Sequence, residues 1–273
     1  MLKNKNFATR ADAEIVATAL SDFLREKKFA DFRRLTEEIP AVDLAIIFEE
    51  CDPDVRALFF RLLSKEKAAE SFVEMPPELQ RSLVELFTDR ELADLLSEMY
   101  VDDTVDLIEE MPANVVKRIL KQADPEMRSS INQILRYPEY SAGSIMTTEY
   151  VSLRPHMTVE EAILRIRRQG VDKETIYTCY VTDSSRKLLG LVSVKDLLLA
   201  ADDETPIREI MTTNVIYAST STDQEEVARM LTKYSFLALP VVDKDNHYRG
   251  FISKSRILDA YREQLVNISQ NDD

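Results

Sequence analysis

The sequence predicts a two-part α+β chain: an N-terminal helical superhelix, then a tandem pair of β-α-β-β-α units. Three observations predict it. Glu38-Ile39-Pro40, Glu74-Met75-Pro76 and Glu110-Met111-Pro112 recur 36 residues apart. Ile145-Met146-Thr147 recurs as Ile210-Met211-Thr212, 65 residues on. Between these two patterns, around residues 136–151, the texture changes from helix after helix to short β-branched runs alternating with helical patterns.

Residues 1 to about 10 are polar, as frayed ends are. From Asp12 the periodicity is helical, with Ile15, Ala19, Leu20 and Phe23 as the predicted apolar stripe. Thirteen residues after each repeat proline comes a second helix start: Pro53 behind Asp52, Asp89 behind Thr88, and Pro125 behind Asp124. Asp52 and Asp124 read as N-caps with proline at the first helical position. Each 36-residue unit therefore holds two or three short helices, which bury their apolar stripes by stacking. Asp102 and Asp106 are spaced to share a helix face. On their own they read as a cap and a solvated face.

Pro138 disfavours helix at Tyr137, and Gly143 is one of only four glycines, so this joint is marked in the sequence. Beyond it, Glu160-Glu161 matches Glu225-Glu226 at the same offset of 65, but Gly190 matches Gly250 and Ser193 matches Ser253 at 60. The change assigns the first copy a five-residue excess near Gly170–Thr175, in loop chemistry. Each copy reads as a short strand (150–153; 215–217), a helix opening at the Glu-Glu pair, a strand ending in Asp183 or Asp243, a strand to Ser193 or Ser253, and a closing helix (195–200; 255–266).

Hydrophobic content of 45% suffices for ordinary cores. A net charge of −14 argues against nucleic acid or an anionic lipid surface as partner; it favours cations, while taken alone it reads as simple solubility. Cys51 and Cys179 lack metal-ligand spacing and read as buried reduced thiols. No apolar h-region follows the N-terminus, and no run approaches the ~18 apolar residues of a membrane span. HExxH, GxSxG and GxxxxGK[ST] are absent. His156 and His247 read as loop residues, so no catalytic residue is assigned and an enzyme is not expected.

The duplicated order, with I-M-T before and G-h-h-S-x-x-D after, resembles the CBS domain, and two copies resemble a CBS pair. The resemblance implies sheets packed together, clefts that take adenine nucleotides, and pairing of two chains. A carboxylate suits a ribose diol because it accepts two hydrogen bonds. Asp196 stands at the ribose position, where it either accepts from a diol or caps its helix. Ser193 and Lys195 reach phosphates in this reading, and Thr178 and Phe236 flank the base. Arg256 occupies the equivalent place in the second copy and cannot accept from a diol.

The helical repeat joined to this pair through Tyr137-Pro138-Glu139, Ala142-Gly143, Met146-Thr147 and Glu149-Tyr150-Val151 resembles the cytosolic region of MgtE-type magnesium transporters. The motifs Glu174-Thr175-Ile176-Tyr177 and 222–229 carry the same resemblance. It implies a helical domain over 1–136, a hinge over 137–143, CBS domains over 144–202 and 203–262, and the start of a connecting helix over 263–273. It also implies a homodimer formed through the CBS domains, a transmembrane pore following this chain, a place at the cytoplasmic face of the cell membrane, and Mg2+ and ATP as ligands. The implied metal ligands are Glu70, Asp102, Asp103 and Asp106 in the helical half, Ser144 through its carbonyl, and Glu225, Thr232 (carbonyl) and Asp259. Ser235 and Arg256 depart from aspartates of that family, and Arg256 is expected to pair with Asp102 or Asp103. The rival expectations are an adenine-nucleotide sensor with a helical docking arm, and a soluble adaptor.

Overall fold

The computed structural model describes residues 10–170, 173–258 and 260. Its contacts divide the chain into two compact units. One runs to Met99 and includes Asp103–Arg128; the other holds Tyr100–Asp102 and Ser129–Asp273.

The helical half is built of α1 (Arg10–Arg25), α2 (Phe29–Glu38), α3 (Ala41–Glu50), α4 (Pro53–Leu62), α5 (Lys65–Val73), α6 (Pro77–Leu86), α7 (Asp89–Leu96), α8 (Val101–Glu109), α9 (Ala113–Gln122) and α10 (Pro125–Ile134), with the start of α8 and the end of α10 grouped with the second unit. The repeat is thus three helices long. Pro40, Pro76 and Pro112 are the N-caps of α3, α6 and α9. Each proline keeps its predecessor out of helix and so ends the helix before it. The same registers are buried each time: Ile47, Leu83 and Ile119 at 0%, and Cys51, Phe87 and Ala123 at 3–4%. Cys51 therefore fills a core position of the repeat, and burial pushes its thiol up to about 12. Rings run edge to face through this core, Phe32–Phe59 at 5.3 Å and Phe48–Phe60 at 6.1 Å.

Two local expectations hold and two change. The Asp124 carboxylate accepts the N–H groups of Glu126 and Met127, as an N-cap does. At α7 the cap is Thr88, in a reciprocal box with Glu91. In α1 the buried stripe is Ala13, Val16, Ala17 and Leu20, while Ile15 is 63% exposed. Small residues permit closer approach to α3, so the helix turns its alanine face inward. Asp102 lies inside α8 rather than at its cap, and at 3% exposure it is not on a solvated face.

The second unit contains α11 (Ala142–Ile145), β1 (Ser152–Leu153), α12 (Val159–Gln169), β2 (Thr178–Thr182), β3 (Leu188–Ser193), α13 (Val194–Leu198), α14 (Ile207–Ile210), β4 (Ala218–Ser219), α15 (Gln224–Tyr234), β5 (Ala238–Val242) and β6 (Tyr248–Ser253). Residues 254–258 are again helical. The closing helix beyond 260 and the connecting helix expected at 263–273 lie outside the described residues. Two sheets form, β1-β2-β3 and β4-β5-β6, each with a parallel then an antiparallel pair. Strand β4 begins at Ala218, just past the run 215–217 predicted from β-branched content.

The copies exchange their leading segments. Thr147 pairs with Phe251 of the second copy, and Thr212 pairs with Leu191 of the first. Ala142 and Met146 are buried in the core of the second copy; Ile207 is buried in that of the first. Glycine makes the exchange possible. A Cβ on Gly250 would lie 2.2 Å from the Thr147 carbonyl oxygen, and one on Gly190 would lie 2.9 Å from that of Thr212. The turns of the two hairpins also pair, with Tyr248 N–H donating to Arg186 O at 2.8 Å. Tyr180, Tyr248 and Phe251 fill the space behind them.

Candidate functional site

The cleft side of the first copy is set by strand register. Thr178 and Ser193 are partners across β2 and β3. Chain reversal at Ser193 starts α13, whose first turn is a capping box: Ser193 Oγ donates to Asp196 Oδ2 at 2.6 Å, and Asp196 N–H donates to Ser193 Oγ at 3.1 Å. The capping geometry of Asp196 is present, and its side chain remains exposed at the mouth of the strand pair together with Lys195. Thr178, Ser193 and Asp196 thus come together as the sequence motif required. Phe236 instead lies on the core of the second copy, stacked on Tyr234 at 5.4 Å.

In the second copy Ala238 faces Ser253 in the same register. Arg256 stands where Asp196 does, its N–H donating to Ser253 Oγ at 3.2 Å. The backbone is repeated while the diol acceptor is replaced by a donor.

The carboxylates named as metal ligands divide by environment. Glu70 is exposed and pairs with Lys67 at 3.4 Å, one turn away. Asp103 and Asp106 are half-buried on α8. Glu225 is exposed on the first turn of α15, 3.9 Å from Arg229. The Thr232 carbonyl accepts from Ser235 N–H at 3.2 Å, where Ser235 (φ 54°) closes α15 in the left-handed region. Ser144 turns its hydroxyl back to Ser141 O at 2.9 Å. Asp259 lies outside the described residues. Asp102, by contrast, has Arg256 Nε 3.5 Å from its Oδ2, as expected for that arginine.

Glu174 belongs to the same neighbourhood and was not among the expected site residues. Burial raises its carboxyl above the ordinary value; the Ser253 hydroxyl lowers it, Asp102 raises it, and Arg256 and the Thr147 hydroxyl lower it. The signal for it was the five-residue excess of the first copy, which delivers this side chain.

Asp243, Asp245 and His247 also gather ligand atoms. The Asp243 carboxylate is already committed there: it accepts from the N–H groups of Asp245 and His247 and from Arg249 at 2.6 Å. Burial pushes its pKa up, but these donors outweigh it and hold the group at about 2.

The MgtE intracellular N domain matches residues 39–140, and the CBS domain matches 142–203 and 207–263. A crystal structure of the cytosolic domain of the Mg2+ channel MgtE in complex with ATP is 37% identical, with a TM-score of 0.83 over 89% of this chain and 99% of that one. This chain belongs to the MgtE family. The soluble part of a magnesium transporter superposes with a TM-score of 0.85 at 30% identity, over 92% of this chain and 99% of that one. Among curated MgtE magnesium transporters, that of Thermus thermophilus is 38% identical over 93% of this chain and 57% of its own length. That of Bacillus subtilis is 31% identical over 87% and 52%. The chain spans about half the length of these relatives. What it matches is the cytosolic part of an MgtE transporter. Among the described residues no helix is long and apolar enough to cross a membrane.

Proposed function

We infer that this chain is the Mg2+-sensing region of a homodimeric magnesium channel or transporter. The observation that carries this reading is end-to-end coverage of the MgtE cytosolic domain, joined to carboxylates at Glu70, Asp106 and Glu225 that keep solvent access. Mg2+ takes oxygen ligands in octahedral geometry and retains several waters, so one or two such carboxylates per ion suffice. Exposed Glu70 and Glu225 and half-buried Asp106 fit that demand. Asp102 does not by itself, because a guanidinium already faces it.

In this mechanism bound Mg2+ neutralises acidic surfaces of the two units and of the two chains, and the ion-loaded arrangement holds the pore shut. When Mg2+ falls, like charges repel and the closed population declines. The shift equals the difference in ion affinity between the two arrangements. Ser144 and Thr232 would contribute carbonyls, and Asp103 and Asp259 further carboxylates. Residues 137–143 form the hinge of this reading. Tyr140, Ala142 and Gly143 are hydrogen-bonded to residues 220–224 and Tyr137 packs on the same core, which favours flexing at the start of this segment. Exposed Leu198, Leu199 and Leu237, at 65–71%, supply apolar surface for pairing of CBS domains between chains.

A second reading is supported by the Thr178–Ser193–Asp196 arrangement: an adenine nucleotide, its ribose on Asp196 and its phosphates near Ser193 and Lys195, tunes the Mg2+ response. Thermal unfolding at fixed ionic strength tests both. Mg2+ should raise Tm, and Glu70→Gln with Glu225→Gln should reduce the rise while leaving any ATP response intact. A Tm indifferent to Mg2+ would reject the sensor.

A further inference from the structure

Position 102 departs from the pattern of its own repeat. Ala30, Glu66 and Asp102 share one register, and so do Phe29, Lys65 and Val101. Ala30, Glu66, Phe29 and Lys65 are exposed; Val101 and Asp102 are buried, at 5% and 3%. The turn Tyr100–Asp102 groups with the second unit, and the partner of Asp102 there is Arg256. Their side chains retain 5% and 10% of their exposure. Arg256 Nε also donates to Ile145 O at 3.3 Å, so the guanidinium is fixed from the exchanged segment as well.

Oxygen groups gather around this pair. Glu174 brings a second carboxylate from the first copy's excess loop, and its Oε2 is buried without a hydrogen-bond partner among the described residues. Ser253 and Thr147 add hydroxyls, and Ile145 a carbonyl. A buried Asp102 beside a half-buried Glu174 with such neighbours calls for a cation, because burying uncompensated charge is costly. A guanidinium meets that demand permanently: it neither deprotonates nor dissociates. Nothing in the CBS backbone requires arginine there, since Asp196 occupies the same register in the first copy.

We propose that Arg256 is a resident counter-cation that clamps Asp102 and Glu174, holding the turn Tyr100–Asp102 and the segment at Glu174 in place without metal. The proposal rests on the Mg2+-sensing reading only for its consequence: one acidic contact is made constitutive, and Mg2+ acts through the remaining carboxylates.

Hydrogen exchange on the whole chain, in peptides covering 100–110 and 173–178, tests this with EDTA and with 10 mM Mg2+ (a probe concentration about where weak hydrated Mg2+ sites fill). In the wild type, protection of 173–178 should be equal in the two conditions, while 100–110, which carries Asp103 and Asp106, should gain protection with Mg2+ as the sensing reading requires. Arg256→Gln should lose protection about tenfold or more in both, as expected when a buried charge pair is broken. Arg256→Asp should lose it in EDTA and regain it in Mg2+. Should the arginine variants fail to fold, the wild-type comparison still decides. The clamp is overturned if wild-type protection of 173–178 falls on chelation, or if Arg256→Gln changes neither peptide. A wild type that ignores Mg2+ in every other peptide rejects the sensor and leaves the clamp standing.

Discussion

The two CBS copies repeat a backbone and diverge in chemistry. Both bend at a bulge, between Val181 and Thr182 and between Val241 and Val242. Both pair a serine with the first residue of the preceding strand. From there the first copy carries Asp196, open to a ligand, and the second carries Arg256, committed to Asp102. In the second copy Ser235 at φ 54° ends the helix and three residues reach the next strand. The first copy takes the longer path that delivers Glu174. The comparison teaches that one fold, duplicated, carries an acceptor in one copy and a donor at the same place in the other, through one side chain and one loop.

The largest effect should come from the exchanged segments. Gly250 faces a backbone carbonyl at the tighter distance, while Gly190 faces in part the flexible Met211 side chain. Gly250→Ala should cost about 3 kcal/mol and Gly190→Ala about 1, the range of overpacking. Urea unfolding measures both, and equal costs would refute the asymmetry.

Next is ligand binding. Asp196→Ala should weaken ATP at least about tenfold, roughly 1.4 kcal/mol, by calorimetry, while Arg256→Ala leaves ATP affinity unchanged. Loss of ATP binding in Arg256→Ala alone would reverse the assignment of the copies.

Helix caps should behave alike in the two copies. Thr158 forms a capping box on α12, and Asp223 accepts from Glu225 N–H at 2.8 Å on α15. Thr158→Ala and Asp223→Ala should each cost about 1 kcal/mol in thermal unfolding.

The smallest effect concerns pH. Asp183 and Asp243 close equivalent turns and both are lowered: Asp183 chiefly by the Ser185 hydroxyl, Asp243 to about 2 by donors that include Arg249, against burial. A depressed carboxyl stabilises the fold above its ordinary value of 3.8 and loses that contribution as pH falls through the folded value. The Tm penalty of Asp243→Asn should therefore shrink between about pH 4 and pH 2, and exceed that of Asp183→Asn at pH 6. A penalty that grows on acidification would contradict this sign.

The helical repeat was legible because proline and its preceding apolar residue punctuate every third helix, and burial follows the same register. The direction α1 faces was not, since Ala13 and Ala17 carry little hydropathy and Ile15 much. The duplication was legible in Ile-Met-Thr, Gly and Ser. That each Ile-Met-Thr packs into the other copy was not, because a β-bridge made by one residue leaves no period. Thr178, Ser193 and Asp196 converge because strand register and a capping box are local rules. The burial of Asp102 and the placement of Glu174 depend on contacts far apart in sequence. Only the odd charge at Arg256 and the odd loop length pointed toward them.

The central claim is that Mg2+ sets the arrangement of this region. Small-angle scattering across a Mg2+ titration at constant ionic strength, with and without ATP, tests it most directly. The radius of gyration should fall with Mg2+ along a saturating curve, with ATP shifting the midpoint. A scattering profile that does not change with Mg2+ would contradict the account.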